Sequence, residues 1–379
     1  AGAMSGLRYA TALVVLLALL AARKLQPPRP LEDGPPPKPK PSSLNASGCD
    51  GTPWPKARTF TREELEGFER DGFIVLRNFV TPAIVAALTR EAKHVCETWP
   101  GPMDPKFQCF RTGTWLRYDV SRDFLYYGPV GETVSNLLQV PAVRIQEDGF
   151  FLHTPDHHGQ PWHTDMDQYG GIFSEFHRKS KGVAVWIALT DIDHERNGGS
   201  VFLVKGGPKT NCTGKTGHWS RRQSSLGAIE DPACQQEIDS GATLHSLRAG
   251  DAMIWHPWMP HKTQPSTDNR LSWYARVLEA DAIFCHSEYR AKAYGRQALC
   301  DHGLRPGQKA HHVCFQQIHP LLQQEVSQRM SPEWSTPIMQ PTPLGDIAWK
   351  VGKWWDKLRM LRRRGFWSAP TLEKPECIE

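Results

Sequence analysis

The chain has 379 residues, of which 39% are hydrophobic and 22% charged, with 31 Pro and 14 Trp. This composition is typical of a globular protein, and the length allows one elaborated domain or two ordinary ones. The net charge of +5 comes largely from the two tails, so the central part offers no basic face, and we expect no nucleic-acid partner.

The N-terminal segment carries an uninterrupted apolar run, YATALVVLLALLAA, at residues 9–22 between basic flanks. The run is shorter than the roughly 20 residues of a full membrane span. It favours a signal peptide or signal anchor at residues 1–24, with an organelle transit sequence or a buried helix as alternatives. We therefore expect a membrane tether and a place in the secretory pathway, at the ER or Golgi membrane with a luminal catalytic domain, or else a secreted or organelle-targeted protein.

A Pro-rich stretch follows at residues 25–58, including QPPRPLEDGPPPKPKPSS. It has too few apolar residues to offset the entropy lost on ordering, which predicts a disordered, semi-rigid linker.

Nine cysteines are present, and none forms a Cys-x-x-Cys pair typical of zinc or redox sites. Sequence neighbours 96 with 109, 212 with 234 and 300 with 314 would suit local disulfides in an oxidising compartment, although several could equally be small buried hydrophobes. The sequons at Asn45 and Asn211 suit a glycoprotein of the same compartment.

The folded part begins at Thr61, which forms a capping box with Glu64 and predicts a short helix. The stretch GFIVLRNF predicts a strand, and Thr81 with Pro82 predicts the start of a second helix.

Strand-like runs then dominate, separated by Gly, Pro, Asn and Asp clusters, with no ordinary amphipathic helix between them. They lie at residues 143–153, 182–193, 199–206, 242–247, 250–256 and 270–280. This spacing indicates an antiparallel sandwich or barrel, and the preceding helices make the fold class α+β. Residues 286–379 are predicted to be a helical C-terminal extension, with helices near 286–299, 320–330 and 346–364.

The segment PWHTD contains the strongest chemical signal. Residues i and i+2 of a strand share a face, so His163 and Asp165 can chelate one metal ion, and His261 is the best third ligand. Two histidines and one carboxylate form the facial triad that binds non-haem Fe(II). Asp167 is the alternative to Asp165, and His256 is the alternative to His261.

Downstream, RLSWYARV alternates polar and apolar residues and puts Arg270 and Arg276 on one polar face. A guanidinium near a metal could hold a carboxylate through two parallel hydrogen bonds. The nearby Trp186 and Trp255 are expected to be core residues.

From about residue 60 to 279 the chain resembles the phytanoyl-CoA dioxygenase-like family of Fe(II)- and 2-oxoglutarate-dependent oxygenases. The resemblance lies in FTREELEGFERDGFIVLRNFV, PWHTD, AVWIALTDIDHERNGGSVFLVKGG, and GDAMIWHPWMPH followed by Arg270. It implies a double-stranded β-helix (jelly-roll) core in an oxygenase domain at 59–285, with His163, Asp165 and His261 as iron ligands. It also implies that Arg270 binds the distal carboxylate of 2-oxoglutarate and that Thr263 supplies an assisting hydroxyl.

Two departures from the family pattern accompany this resemblance. The segment after the distal histidine is KTQPSTDN, and the turn GGPK at 206–209 lacks a family histidine. The C-terminal extension has no counterpart that we can assign.

The resemblance implies hydroxylation of a C–H bond of a small organic substrate, with Fe(II), 2-oxoglutarate and O₂ required, ascorbate as a possible aid, and succinate and CO₂ released. The carboxylate of Asp165 favours hydroxylation over halogenation. A non-catalytic scaffold with the same fold is the alternative, and a cupin-like zinc hydrolase or isomerase is disfavoured by Arg270.

Overall fold

The computed structural model describes residues 53–98, 109–116, 118–155, 159–160, 162–165, 176, 179–209, 232–285, 304, 307–312 and 315–322. All of them lie in one compact unit, Pro39–Glu379. The predicted N-terminal segment, most of the linker, both sequons and nearly all of the C-terminal extension lie outside the described residues, so the domain boundaries and the glycosylation stay predictions.

The expectation of a membrane-tethered protein of the secretory pathway is corrected. In the described part of the chain, no helix is both long and apolar enough to cross a membrane. The longest described helix has 17 residues and carries charged side chains, whereas a span needs roughly 20 apolar ones. The apolar run at residues 9–22, on which the prediction depended, lies outside the described residues.

The first elements form as the capping signals predict. Helix α1 (Arg62–Asp71) begins with a complete capping box between Thr61 and Glu64 and ends at Gly72, whose φ of 82° is left-handed. Strand β1 (Phe73–Leu76) and helix α2 (Pro82–Thr98) follow.

The region between α2 and the first long strand contains more structure than its sequence suggested. It forms β2 (Cys109–Thr112), a 3-10 turn (Thr114–Leu116), α3 (Asp119–Tyr127) and α4 (Val130–Leu138). The two helices are short and are separated only by Gly128 and Pro129, which hid their periodicity. Glu91 of α2 fixes the start of α3, since its carboxylate accepts hydrogen bonds from the backbone N–H groups of residues 120 and 121 at 2.8 Å.

The predicted strands are confirmed, most of them with shorter bounds. They are β3 (Val143–His153), β4 (Gly182–Ala188), β5 (Val201–Val204), β6 (Ala242–Thr243), β7 (Ala252–Trp255) and β9 (Arg270–Glu279). Two further strands, β8 (His261–Thr263) and β10 (Gln317–His319), were not predicted. Helix α5 (Pro232–Gly241) lies between β5 and β6, where no helix was expected. The described residues of the predicted helix at 320–330, Pro320 to Leu322, are not helical.

The strands form two antiparallel sheets. The larger has the order β1-β7-β4-β9-β3-β10, with β2 also paired to β3, and the smaller has the order β6-β5-β8. This is a curled antiparallel sheet core of the jelly-roll type, so the α+β prediction holds for the described residues.

Strand β9 separates two apolar clusters by its alternation. Leu271, Trp273, Ala275 and Val277 pack with the helices on one side of the larger sheet. On the other side, Tyr274 and Trp186 pack with residues of the smaller sheet such as Leu203. The polar face of β9 therefore points into the space between the sheets, as predicted.

The disulfide prediction is confirmed for Cys96 and Cys109, which join α2 to β2. Cys234 and Cys285 are also disulfide-bonded.

Candidate metal centre

The two candidate histidines are held together by their main chains. His163 and His261 form an isolated antiparallel bridge in which each backbone N–H donates to the other's carbonyl, at 2.9 and 2.8 Å. This main-chain pairing also brings their imidazole rings together, with centroids 4.1 Å apart. The pairing of the PWHTD segment with β8 thus brings two distant parts of the chain to one place.

Asp165 completes the cluster. One ligand atom from each of His163, Asp165 and His261 lies within 4.8 Å of the others, and all three residues are buried. Of the predicted residues, the structure therefore brings together the three proposed ligands.

The ring of His261 is oriented for metal binding. Its Nδ1 lies 2.8 Å from the carbonyl oxygen of Met259, which can only accept, so Nδ1 carries the proton and donates. The lone pair is then on Nε2, which lies 4.0 Å from Asp165 Oδ1. Burial lowers the pKa of His261, which favours the neutral ring that a metal ion requires.

The carboxylate of Asp165 is held by two donors. Arg276 donates from NH2 to Oδ1 at 2.9 Å, and Trp255 donates from Nε1 to Oδ2 at 3.2 Å. Burial would raise the pKa of Asp165, but the charges of Arg276, His261 and His163 and the hydrogen bond from Arg276 keep it below its usual value. The carboxylate is therefore ionised, as a metal ligand must be.

Arg270 lies on the same polar face of β9 and is buried. Its guanidinium carbon is 4.9 Å from the centroid of the Trp186 ring, and NH1 is 3.5 Å from Nδ1 of His153. Nε of Arg270 has no hydrogen-bond partner, and no acidic side chain among the described residues forms an ion pair with it. Burial lowers its pKa to about 9, so the group is still a cation at neutral pH.

Thr263 follows His261 by two residues on β8, so the two side chains share a face. It is buried, and its hydroxyl lies 3.4 Å from Oε1 of Gln160. The main chains of Thr263 and Gln160 also exchange hydrogen bonds, at 3.0 and 3.2 Å.

The alternative ligands have different outcomes. His256 is not part of the metal cluster. Its Nδ1 accepts a hydrogen bond from the backbone N–H of Trp258 at 3.2 Å, and burial lowers its pKa to about 4. Asp167 lies outside the described residues.

Sequence reasoning missed two partners of the centre. Trp255 is a core residue as predicted, but its indole also donates a hydrogen bond to Asp165, which the sequence did not indicate. His153, for which the sequence suggested no role, is buried beside Arg270. In the pairing of β3 with β9, His153 lies directly opposite Arg270, and this long-range register is not visible in either strand alone.

The residues present fit a divalent metal and a dicarboxylate. Three buried donors converge, and the lowered pKa values of His261 and Asp165 favour the forms that bind a metal ion. The guanidinium of Arg270 is buried on the same polar face of β9, and no acidic side chain among the described residues pairs with it, so an anionic ligand would relieve an unfavourable state.

Solved structures of similar fold are non-haem enzymes. The carbocyclase SnoK of nogalamycin biosynthesis, described as α-ketoglutarate-dependent, superposes with a TM-score of 0.53 at 16% identity, over 69% of this chain and 99% of that one. The epimerase SnoN of the same biosynthesis, described likewise, superposes with a TM-score of 0.52 at 18% identity, over 68% of this chain and 100% of that one. At this identity the likeness supports the fold alone. A search of curated protein sequences finds no significant match.

The sequence pattern of phytanoyl-CoA dioxygenase (PhyH) matches residues 68–272, which is more than half of the chain and includes His163, Asp165, His261, Thr263 and Arg270. The chain therefore belongs to the phytanoyl-CoA dioxygenase family of non-haem iron and 2-oxoglutarate-dependent enzymes.

Proposed function

We propose that the protein is an Fe(II)- and 2-oxoglutarate-dependent dioxygenase that hydroxylates a C–H bond of a small organic substrate. The observation that carries the proposal is the buried His163, Asp165 and His261 cluster, accompanied by the buried cation of Arg270, which forms no ion pair with any described residue. A scaffold protein would have no physical reason to keep a buried guanidinium without a counter-charge.

His163, Asp165 and His261 would hold the iron, and Arg270 would hold the distal carboxylate of 2-oxoglutarate. When bound, the iron with 2-oxoglutarate and O₂ supplies an oxidative decarboxylation that yields succinate and CO₂ and inserts oxygen into the substrate. These three residues would supply three ligands to the iron, which would leave positions for the cosubstrate and O₂.

The chain's own residues would orient the bound 2-oxoglutarate and exclude water from it. The Trp186 ring under the Arg270 guanidinium limits its rotation and shields it, which prepares it to grip a carboxylate. Thr263 would assist with its hydroxyl, which lies on the same face as His261.

The first test is 2-oxoglutarate turnover to succinate by the full chain with Fe(II) and ascorbate, without a second substrate. We expect slow turnover that His163→Ala abolishes. Arg270→Ala should weaken 2-oxoglutarate binding about 100-fold, because a charge-assisted double hydrogen bond is lost, corresponding to about 3 kcal/mol. The exposed Arg196, changed to Ala, is the matched control and should behave as wild type.

Direct binding separates the outcomes. Titration of 2-oxoglutarate into anaerobic iron-loaded protein should produce the charge-transfer absorption of the chelate. Absence of both turnover and bound iron in folded protein would contradict the proposal and favour the scaffold alternative.

The type of reaction that the substrate undergoes needs its own measurement, since SnoK and SnoN are described as a carbocyclase and an epimerase. Hydroxylation predicts that one atom from isotopically labelled oxygen gas appears in the product, whereas ring closure or epimerisation predicts none. Mass spectrometry of products from a substrate screen decides between these results.

A further inference from the structure

A row of residues crosses the larger sheet beneath the metal cluster. In the register of the strands, Trp255 of β7 and Arg276 of β9 both lie opposite Ala184 of β4, on either side of it. Residues directly opposite each other in neighbouring strands share a face. Trp255, Ala184 and Arg276 therefore point to the same side, toward the smaller sheet.

Asp165 reaches this row from outside the sheet. Its carboxylate accepts from Arg276 at Oδ1 and from Trp255 at Oδ2, so the carboxylate spans the gap between them, above Ala184. Ala184 is fully buried and has only a methyl group, which leaves the space that the carboxylate needs. A larger side chain in the middle of the row would occupy this space.

Among the residues that the structure describes, each oxygen of Asp165 therefore has one donor. An ionised carboxylate oxygen has two lone-pair directions, so one direction on each oxygen stays available after these hydrogen bonds. The carboxylate cannot rotate about its Cβ–Cγ bond without breaking both hydrogen bonds, and its side chain is completely buried.

We propose that Arg276 and Trp255 are positioning residues that fix the orientation of Asp165 as a metal ligand, with Ala184 as the small spacer between them. The proposal rests on the metal role of Asp165 in the proposed function. Arg276 stabilises the carboxylate charge before the metal arrives and limits the ways in which the carboxylate can bind. Trp255 adds the second point of attachment and packs against His261, with ring centroids 5.2 Å apart.

The test is metal affinity, measured by titrating Co(II) into the metal-free full-length protein without 2-oxoglutarate. Arg276→Gln should weaken Co(II) binding about 100-fold, and Trp255→Phe about 10-fold, because partners of this kind typically contribute 10–100-fold in metal affinity. Arg276→Lys keeps the charge and should recover part of the loss.

Trp273→Phe is the matched control. Trp273 is a fully buried tryptophan on the opposite face of β9, and its indole N–H has no hydrogen-bond partner among the described residues. It should lower the thermal stability as Trp255→Phe does, while leaving Co(II) affinity within about twofold of wild type. Thermal unfolding of each metal-free variant verifies that it is folded.

The possible results are distinct. Folded Arg276→Gln and Trp255→Phe variants that bind Co(II) as tightly as wild type would overturn the positioning role and leave the proposed function intact. A wild-type protein that binds no Co(II), and so does not differ from Asp165→Ala, would overturn the proposed function together with this inference. If Arg276→Gln does not fold, Trp255→Phe against Trp273→Phe decides alone.

Discussion

Asp148 is a fully buried carboxylate whose pKa lies well above its usual value. It accepts hydrogen bonds from the hydroxyl of Thr114 at 2.6 Å and from the backbone N–H of Trp115 at 3.1 Å, and it lies near the buried Glu91. Burial raises its pKa to about 7, and the hydrogen bonds only partly oppose this. Between about pH 4 and 7, this carboxyl therefore holds a proton that the same group in the unfolded chain has lost.

The sign of the resulting pH dependence follows from linkage. Since the folded pKa of Asp148 exceeds the unfolded value of about 3.9, the folded state binds more protons between these values, and stability falls as pH rises. We expect the free energy of unfolding to decrease by an amount on the order of 3 kcal/mol between pH 4 and 7 and then to level off. Urea unfolding at several pH values measures this, and Asp148→Asn should remove most of the decrease.

Asp281→Asn is the control for this prediction. Hydrogen bonds from Lys309 and His311 lower the pKa of the exposed Asp281, so it stays ionised across pH 5–7 in both states. The variant should retain the wild-type slope in this window. A slope that Asp148→Asn leaves unchanged would assign the effect to another group.

At the scale of elements, the pairing between β8 and the segment that contains His163 begins at Gln160, three residues before His163. Gly159 has a φ of 79°, and a Cβ there would overlap the carbonyl oxygen of Thr263, which accepts from the backbone N–H of Gln160. Only glycine combines this left-handed backbone with so close an approach. The position of His163 relative to His261 thus depends on a glycine outside the metal cluster.

Gly159→Ala should lower both the stability and the metal affinity. Gly307 gives a matched control, since its φ is 85° but nothing lies within 4 Å of the added Cβ. Gly307→Ala therefore includes only the left-handed strain of about 1 kcal/mol, whereas Gly159→Ala must also displace β8, for about 3 kcal/mol in total. Thermal unfolding and Co(II) titration of both variants measure these effects, and equal losses would mean that the contact with Thr263 is unimportant.

The sequence predicted those elements whose formation depends on interactions between residues close together in the chain. The capping box at Thr61 and the alternation along β9 are properties of neighbouring residues, and both were confirmed. Helices α3 and α4 were not foreseen because each has only nine residues and depends on packing, with α3 capped by Glu91 from another helix. Tertiary contacts of this kind cannot be predicted from a short segment of sequence.

The same division holds for the candidate centre. His163, Asp165, His261 and Arg270 were found from strand parity and the family resemblance. Trp255 was not, because its role depends on the register between β7 and β4, which brings it beside Ala184. Strand register depends on long-range pairing and cannot be obtained from one strand alone.

At the scale of the whole molecule, the disulfide Cys96–Cys109 joins α2 to the edge strand β2. The bond closes a loop with a sequence separation of 13, which restricts the unfolded chain. The helices packed on the larger sheet are thereby linked covalently to that sheet.

Replacing both cysteines by alanine should reduce the free energy of unfolding by about 3 kcal/mol, from the loop-closure term. Urea unfolding under non-reducing conditions measures it. The pairing of β2 with β3 should persist, because it is made by the backbone, so succinate production should be retained at temperatures where the variant is folded. A decrease below about 1 kcal/mol would mean that the two segments stay close together in the unfolded chain.

The bridge between His163 and His261 is made entirely by main-chain atoms. Any L-residue other than proline can make the same two hydrogen bonds, so the architecture tolerates loss of either imidazole. At these two positions the main chain thus maintains the fold, whereas the side chain provides only the proposed metal ligand. Alanine variants there should be folded proteins that lack only the metal, and they would provide inactive stand-ins for trapping an unreacted substrate from a mixture.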